Sequence, residues 1–208
     1  MTSTLQGVIA EQGEMAKQHD EGRISYRMDD THFPGEYGRM VRGTNALVTS
    51  HLDVMQRLVE LMQHYAVGDL SMDMEPLPGE KAALTEAMRT TKANLSAING
   101  EIRGLAQAAA AGDFSRRGDA ARYEHDFRAM VDGLNRLMET TEGNLADVSK
   151  LLRAIARGDL TARMEGDFHG VFARMRDDAN ATVAQLTDIV GRIQDASTSI
   201  NTAAGEIA

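Results

Sequence analysis

The sequence is poor in the residues that cross-link a fold or fill a broad globular core. It contains no cysteine, no tryptophan, three prolines and nine aromatic residues among 208. The lack of cysteine excludes disulfides, thiolate metal ligands and thiol redox chemistry, and it favours a cytoplasmic location. Because a narrow helical bundle needs little aromatic bulk, the composition favours an all-α fold.

Positive charge and long apolar runs are also scarce. The net charge is −9, which argues against nucleic acid and anionic membrane surfaces as partners. No stretch approaches the roughly twenty apolar residues that a membrane span requires, and the first residues lack the pattern of a signal peptide. We therefore expect no membrane contact by this segment, although the parent protein could be anchored upstream.

Helical periodicity is strongest at the end of the chain. From Phe172 onward apolar residues recur every three or four positions, and Thr182 is the one polar member of the series. A stripe this narrow is typical of a coiled coil and needs partner helices to cover it. We call its last part the output seam: Leu186, Ile189, Ile193, Ile200 and Ile207.

A repeat of about 45 residues runs through the chain. It is marked by four glycines, each followed by an apolar residue two positions later and, in three copies, by methionine six positions later. A further mark comes 22 or 23 positions after each glycine, at Asn45, Thr91, Asn135 and Asn180. We predict four repeats, over residues 1–50, 51–95, 96–140 and 141–188, followed by the start of a coiled coil at 189–208.

The stretch after each glycine is predicted to be an extended connector, because all three prolines fall in such stretches. A dozen extended residues reach about 40 Å, whereas a helix of sixteen residues is only about 24 Å long. Such a connector returns along its own helix and starts the next helix parallel to the first. Helices of about thirty residues then continue from one repeat to the next.

Two parallel helices cannot enclose a core, but two copies of the pair form a four-helix bundle. The predicted fold is therefore all-α, with tandem parallel four-helix bundles formed by a parallel homodimer and continuous helices between them.

The order of helix, Gly-Asp-Leu connector and second helix resembles the HAMP domain of bacterial receptors. The match is best from Gly158 to Leu186, which contains GDLTARMEGDFHGVFARMRDDANATV. The final SINTAAGEIA resembles the opening of the signalling domain of chemotaxis receptors. The resemblance implies a relay without catalysis or cofactor, which passes a conformational change from an upstream sensor to kinase-controlling helices. The implied partners of the parent receptor are a chemotaxis histidine kinase and its coupling protein.

The resemblance also implies which residues carry the relay. The connector glycines are Gly22, Gly68, Gly112 and Gly158. The connector hydrophobes are Ile24, Met28, Leu70, Met74, Phe114, Leu160 and Met164. The acids at the start of the second helix are Glu36, Glu80 and Glu124, where a carboxylate faces the positive end of the helix dipole. Repeat 3 departs from the pattern, because Arg116, Arg117 and Gly118 stand where other repeats have apolar residues.

Two other functions remain open on the sequence alone. One is a helical sensor that binds a small molecule or haem. His51 could be a ligand, a pH switch or a polar residue that fixes register, because it lies on a second helical seam formed by Met40, Thr44, Leu47, His51, Val54, Leu58, Leu61 and Tyr65. No two histidines have the i, i+4 spacing of a helical metal site. The other is a passive coiled-coil spacer. Glycines inside the predicted helices, such as Gly133 and Gly143, indicate either close packing or a marginally stable bundle.

Overall fold

The computed structural model describes the backbone of residues 2–207 and the side chains of residues 3–205. This part of the chain contains five α-helices and no strand, which confirms the predicted all-α class. The helices are α1 (Thr2–Asp20), α2 (Gly35–Ala66), α3 (Ala82–Ala110), α4 (His125–Ala156) and α5 (Gly170–Ile207). Short 3-10 turns occupy Gly79–Lys81 and Ala120–Arg122. The chain forms two compact bodies, residues 1–96 and 97–208.

The lengths of the helices agree with the predicted continuity. The helices α2, α3 and α4 contain 32, 29 and 32 residues, so each runs from one connector to the next without a break. Helix α5 has 38 residues and continues from the last connector into the output seam. Each inner helix therefore serves as the second helix of one repeat and the first helix of the following repeat.

The first connector returns along α1. The Tyr26 hydroxyl lies 3.5 Å from a Glu11 carboxylate oxygen, and further along the connector the Phe33 ring lies 3.2 Å from where a side chain on Gly7 would begin. Rising residue numbers in the connector thus meet falling numbers in α1, as expected for a connector that runs back along its own helix.

Helix α2 then runs parallel to α1. The Asn45 amide bonds the main chain of Met28, and the Arg27 guanidinium, one residue earlier in the connector, donates to the Thr49 hydroxyl. Helix α2 is therefore antiparallel to the connector, which is itself antiparallel to α1.

The second body repeats this topology. The Asp119 amide lies 3.3 Å from a Glu101 carboxylate oxygen of α3, while Arg117 contacts Glu142 of α4 at 2.8 Å. In repeat 4 the Thr187 hydroxyl of α5 donates to the Leu160 carbonyl over 3.4 Å. The parallel arrangement of consecutive helices predicted from the connector length is confirmed in both bodies.

Each repeat has a small apolar cluster of its own, formed by two helices and the connector between them. The residues with the least exposure are Val8, Val41, Val131 and Val183. The clusters are narrow, as expected for a chain with few aromatic residues. Within the described residues, no helix has an apolar stretch of sufficient length to span a membrane.

Candidate functional site

The four connector glycines end their helices in the same way. Each has a positive φ between 79° and 86°. Its N–H donates to the carbonyl three residues earlier, and the next N–H donates to the carbonyl five residues earlier, over 2.8–3.0 Å. This is a Schellman motif, in which glycine adopts the left-handed conformation at little cost. The structure thus places all four predicted glycines at the point where a helix becomes a connector: Gly22, Gly68, Gly112 and Gly158.

An aspartate follows the glycine in repeats 2, 3 and 4. Asp113 accepts hydrogen bonds from the amide and hydroxyl of Ser115, and Asp159 accepts the same pair from Thr161, at 2.6–3.0 Å. These bonds stabilise the charged carboxylate and lower the pKa of both aspartates. Each aspartate therefore fixes the direction in which its connector leaves the helix.

Asp69 is the most perturbed of these carboxylates. Hydrogen bonds from Ser71 and then from His64 lower the pKa of Asp69 to about 2. The His64 ring nitrogen lies 2.8 Å from the second carboxylate oxygen. Repeat 1 has Arg23 at this position, so it lacks the aspartate that accepts hydrogen bonds from the residue two positions later.

The connector hydrophobes differ in depth. Met28 and Met164 are buried in the clusters of repeats 1 and 4. Ile24 is exposed, and the other four predicted residues are half-buried: Leu70, Met74, Phe114 and Leu160.

An asparagine of the second helix clamps the connector in three repeats. The side-chain oxygen of Asn180 accepts from the Met164 amide at 2.9 Å, and its nitrogen donates to the Met164 carbonyl at 3.0 Å. Asn45 bonds Met28, and Asn135 bonds Gly118, through the same two atoms. Because an extended connector has no strand beside it, the asparagine satisfies main-chain groups that the cluster would otherwise leave unpaired. The sequence marked these positions by their spacing but did not indicate their partners.

Repeat 2 is held differently. Thr91, which the spacing placed with the three asparagines, is exposed and donates to the Ala87 carbonyl of its own helix. The connector of repeat 2 is two residues shorter than those of repeats 1 and 3 and one shorter than that of repeat 4, so counting from the positive-φ residue that ends the connector puts Arg89 at the asparagine position. The Thr85 hydroxyl instead bonds the connector, at the Leu77 amide and the Glu75 carbonyl.

A guanidinium stabilises the outer side of the connector in the same three repeats. Arg27, Arg117 and Arg163 each donate to two connector carbonyls, those three residues and one residue before the arginine. Arg117 is therefore a regular member of the repeat, although it was predicted to be a departure. In repeat 2, Asp73 stands at this position and pairs with Lys92 of α3 at 2.7 Å.

A residue of positive φ ends every connector and opens α2, α4, α5 or, in repeat 2, the 3-10 turn before α3. Gly35, Gly79 and Gly170 have φ of 62°, 58° and 58°, and His125 has φ of 48°. His125 is the one residue other than glycine with positive φ among those that the structure describes.

The predicted acids lie next to this residue of positive φ. Glu36 and Glu80 directly follow the left-handed residue, and Glu36 pairs with Arg39 at 2.6 Å. In repeat 3, however, Asp126 holds the corresponding position, whereas the predicted Glu124 precedes the left-handed residue and makes no side-chain cap. The roles of Glu36, Glu80 and Glu124 therefore remain predictions.

Repeat 3 packs its connector in its own way. At Gly118 a Cβ would lie 2.7 Å from a Val131 methyl group and 2.9 Å from a Glu101 oxygen, so the connector lies directly against both helices. The apolar filling comes from Tyr123, which is 6% exposed and packs with Ile98 and Val131.

An apolar stripe is left exposed on the second helices. Leu47 is 60% exposed and Leu137 is 61% exposed, while Val41 and Val131 on the neighbouring face are completely buried. This apolar stripe thus differs from the face that the chain covers itself. We call it the exposed seam and define it by Met40, Leu47, Met130 and Leu137.

The output seam continues this exposure in α5. Leu186 is half-buried, whereas Ile193 is 62% exposed and Ile200 is 69% exposed. Ile189 is also exposed. The side chain of Ile207 lies outside the described residues.

The described residues offer little to a bound cofactor. The His51 ring is exposed and its Nδ1 lies 2.9 Å from the Leu47 carbonyl of the same helix. Between residues 3 and 205, no group of three or more histidine, aspartate or glutamate side chains is arranged to hold a metal ion. Nothing there favours the haem-sensor alternative.

Comparisons with known proteins agree with this geometry. A family model described as HAMP N-terminal domain 3 matches residues 54–96. A second model, described as HAMP domain, matches residues 122–188. The chain is also 46% identical over 103 residues to the methyl-accepting chemotaxis protein McpB of Pseudomonas aeruginosa. That match covers 50% of this chain but only 15% of the relative.

Proposed function

Because the chain belongs to the HAMP family, as a tandem segment of the kind found in chemoreceptors, we propose that it relays a conformational change along its helices. In this proposal a sensor upstream changes the position of α1, and each repeat changes the packing of its helices in response. The output seam passes the result to helices that control a chemotaxis histidine kinase through its coupling protein. The segment acts in the cytoplasm and catalyses no reaction of its own.

The observation that supports this proposal most strongly is the continuity of α5. Its first half is held by the last connector, through Asn180 and the buried Val183. Its second half carries the output seam without an intervening turn. Since each residue of a continuous helix is fixed at about 100° from the one before it, a rotation imposed at the connector turns the whole output seam.

The relay that we propose operates as a parallel homodimer. The exposed seam lies along the second helices in both bodies, with Leu47 and Leu137 at matching positions of their repeats. Leaving such side chains in water costs about 25 cal/mol per Å² of apolar area. In a second copy of the chain with the same orientation, the same stripe packs against the first one and completes a four-helix bundle in every repeat.

Two-state behaviour is what coupling between distant ends requires. A repeat held by one asparagine clamp, one guanidinium and a narrow cluster has few contacts to rearrange, so we expect its states to differ by only a few kcal/mol. A small difference lets an input at one end shift the population at the other end.

Insertions in the full-length receptor test the relay directly. One residue inserted after Ile193 rotates the following helix by about 100°, whereas seven inserted residues preserve the heptad phase. We expect the single insertion to abolish or lock the control of kinase autophosphorylation, and the seven-residue insertion to retain it. A passive spacer would show the same kinase control with both insertions, and that result would refute the relay.

A further inference from the structure

We propose that repeat 3 is a compliant unit of the array, which releases its connector before repeats 1 and 4 do. The inference rests on the proposed relay for its functional meaning, but its structural basis is independent. It comes from three positions at which repeat 3 differs from the other copies within the same chain.

The first position is Tyr123, two residues before the left-handed residue. Repeats 1 and 4 have Phe33 and Phe168 at the corresponding place. The Tyr123 hydroxyl is buried and has no hydrogen-bond partner among the described residues, whereas the main-chain carbonyl of the same residue accepts from Arg128 at 2.8 Å. The ring gains from burial, but the hydroxyl has lost its contact with water and gained no replacement.

Because burial favours the ring and disfavours the hydroxyl, Tyr123 has two competing arrangements. In the packed arrangement the ring fills the cluster beside Ile98 and Val131. In the released arrangement the hydroxyl reaches water while the ring loses that packing. Phenylalanine has no hydroxyl that would gain hydrogen bonds with water on release. Repeats 1 and 4 therefore favour the packed arrangement alone.

The second position is His125, the first residue of α4. The other three repeats use glycine at this place, with φ near 60°. A histidine in the left-handed region is strained by contact between its Cβ and the backbone, and glycine is not. Release of the connector lets His125 return to an ordinary conformation, so this strain also opposes the packed state.

The third position is Gly118, where repeats 1 and 4 bury Met28 and Met164. Glycine contributes no apolar side chain to the cluster, and the contact with Val131 leaves no room for one. The connector of repeat 3 is thus held by the Asn135 clamp, Arg117 and Tyr123, without the buried methionine of repeats 1 and 4. All three differences weaken the same packed state.

Hydrogen exchange measured by mass spectrometry on the intact protein tests this assignment. We expect amides of the repeat 3 connector, residues 113–124, to exchange about tenfold faster than those of the repeat 4 connector, residues 159–169. Tyr123→Phe and His125→Gly should each slow exchange in repeat 3 several-fold and leave repeat 4 unchanged. Equal or slower exchange in wild-type repeat 3 would overturn the proposal.

Phe168→Tyr provides the matched control, because it gives repeat 4 the residue of repeat 3. We expect it to accelerate exchange in residues 159–169. If the control variant exchanges like the wild-type protein while Tyr123→Phe also has no effect, the buried hydroxyl does not govern connector release and the proposal fails.

The same variants separate this inference from the relay itself. In the full-length receptor, the Tyr123→Phe, His125→Gly pair should reduce the difference in kinase autophosphorylation between the receptor's two output states. An unchanged difference would overturn the regulatory role of repeat 3. It would leave the relay standing, since the phase-changing insertion after Ile193 tests the relay independently.

Discussion

At the scale of single residues, the asparagine clamp shows what spacing alone predicts and what it misses. The spacing after each glycine grouped Asn45, Asn135 and Asn180 correctly, but it also included Thr91. Counting from the connector glycine cannot detect a shorter connector, and the contacts with main-chain atoms have no signature in the sequence. The connector arginines were missed for the same reason, since their targets are carbonyl groups that every residue carries.

Loss of one clamp should destabilise its repeat. Asn180→Ala leaves the amide and the carbonyl of Met164 without partners, and we expect a loss of about 2–3 kcal/mol in the free energy of unfolding. Thr91→Ala should cost less than about 0.5 kcal/mol, because Thr91 is exposed and bonds only its own helix. Urea unfolding followed by circular dichroism measures both values, and equal losses would show that the clamp contributes nothing.

Acid should weaken the connectors through Asp69. Its pKa is lowered in the folded protein to about 2, so the stabilisation is complete above the ordinary value near 4 and is lost as the pH falls toward 2. We therefore expect the melting temperature to fall over this range. The fall should be smaller in Asp69→Asn, and melting curves at several pH values test this. An identical slope in the variant would contradict the assignment to Asp69.

At the scale of helices, the sequence predicted the number, length and direction of the inner helices well, because periodicity and connector length determine them. It did not separate the two apolar faces of each second helix. In α2 the chain covers Val41, whereas Leu47 on the exposed seam is left uncovered. The two faces differ by one position, and periodicity cannot tell a face covered by a connector from one covered by another chain.

Replacing a glycine by alanine should destabilise the protein at a helix end and stabilise it inside a helix. Gly158 has φ of 81°, so Gly158→Ala should lower the free energy of unfolding by about 1–2 kcal/mol. Gly143 lies inside α4 with nothing within 4 Å of an added Cβ, so Gly143→Ala should raise it by about 1 kcal/mol. Equilibrium unfolding in urea compares the two variants, and stabilisation by Gly158→Ala would contradict the Schellman geometry.

At the scale of the whole molecule, the account depends on an apolar stripe that one chain leaves uncovered. The repeats at 54–96 and 122–188 match HAMP models, and the sequence predicted this family from the connector pattern. The homodimer that we propose rests on the exposed seam and on the physical argument that apolar side chains favour burial. Which input moves α1, and which repeat responds first, depend on small energy differences that no repeat pattern encodes.

Charge on the exposed seam should separate the chains. Leu47→Glu together with Leu137→Glu places carboxylates where the two copies meet, so we expect a monomer in light scattering at micromolar concentration. Val67→Glu is the control, because Val67 is exposed at the end of α2 and outside the exposed seam, and it should remain dimeric. A dimeric double variant would show that another surface joins the chains.

The most direct test of the central claim uses the lack of cysteine. A single Leu47→Cys variant, treated with a short bis-maleimide, should form covalent dimers efficiently, because parallel chains bring residue 47 of both copies to the same level of the bundle. Arg42→Cys lies about 140° around the same helix and should cross-link only at background level. Equal cross-linking of the two variants, or none at Leu47→Cys, would contradict a parallel homodimer joined through the exposed seam.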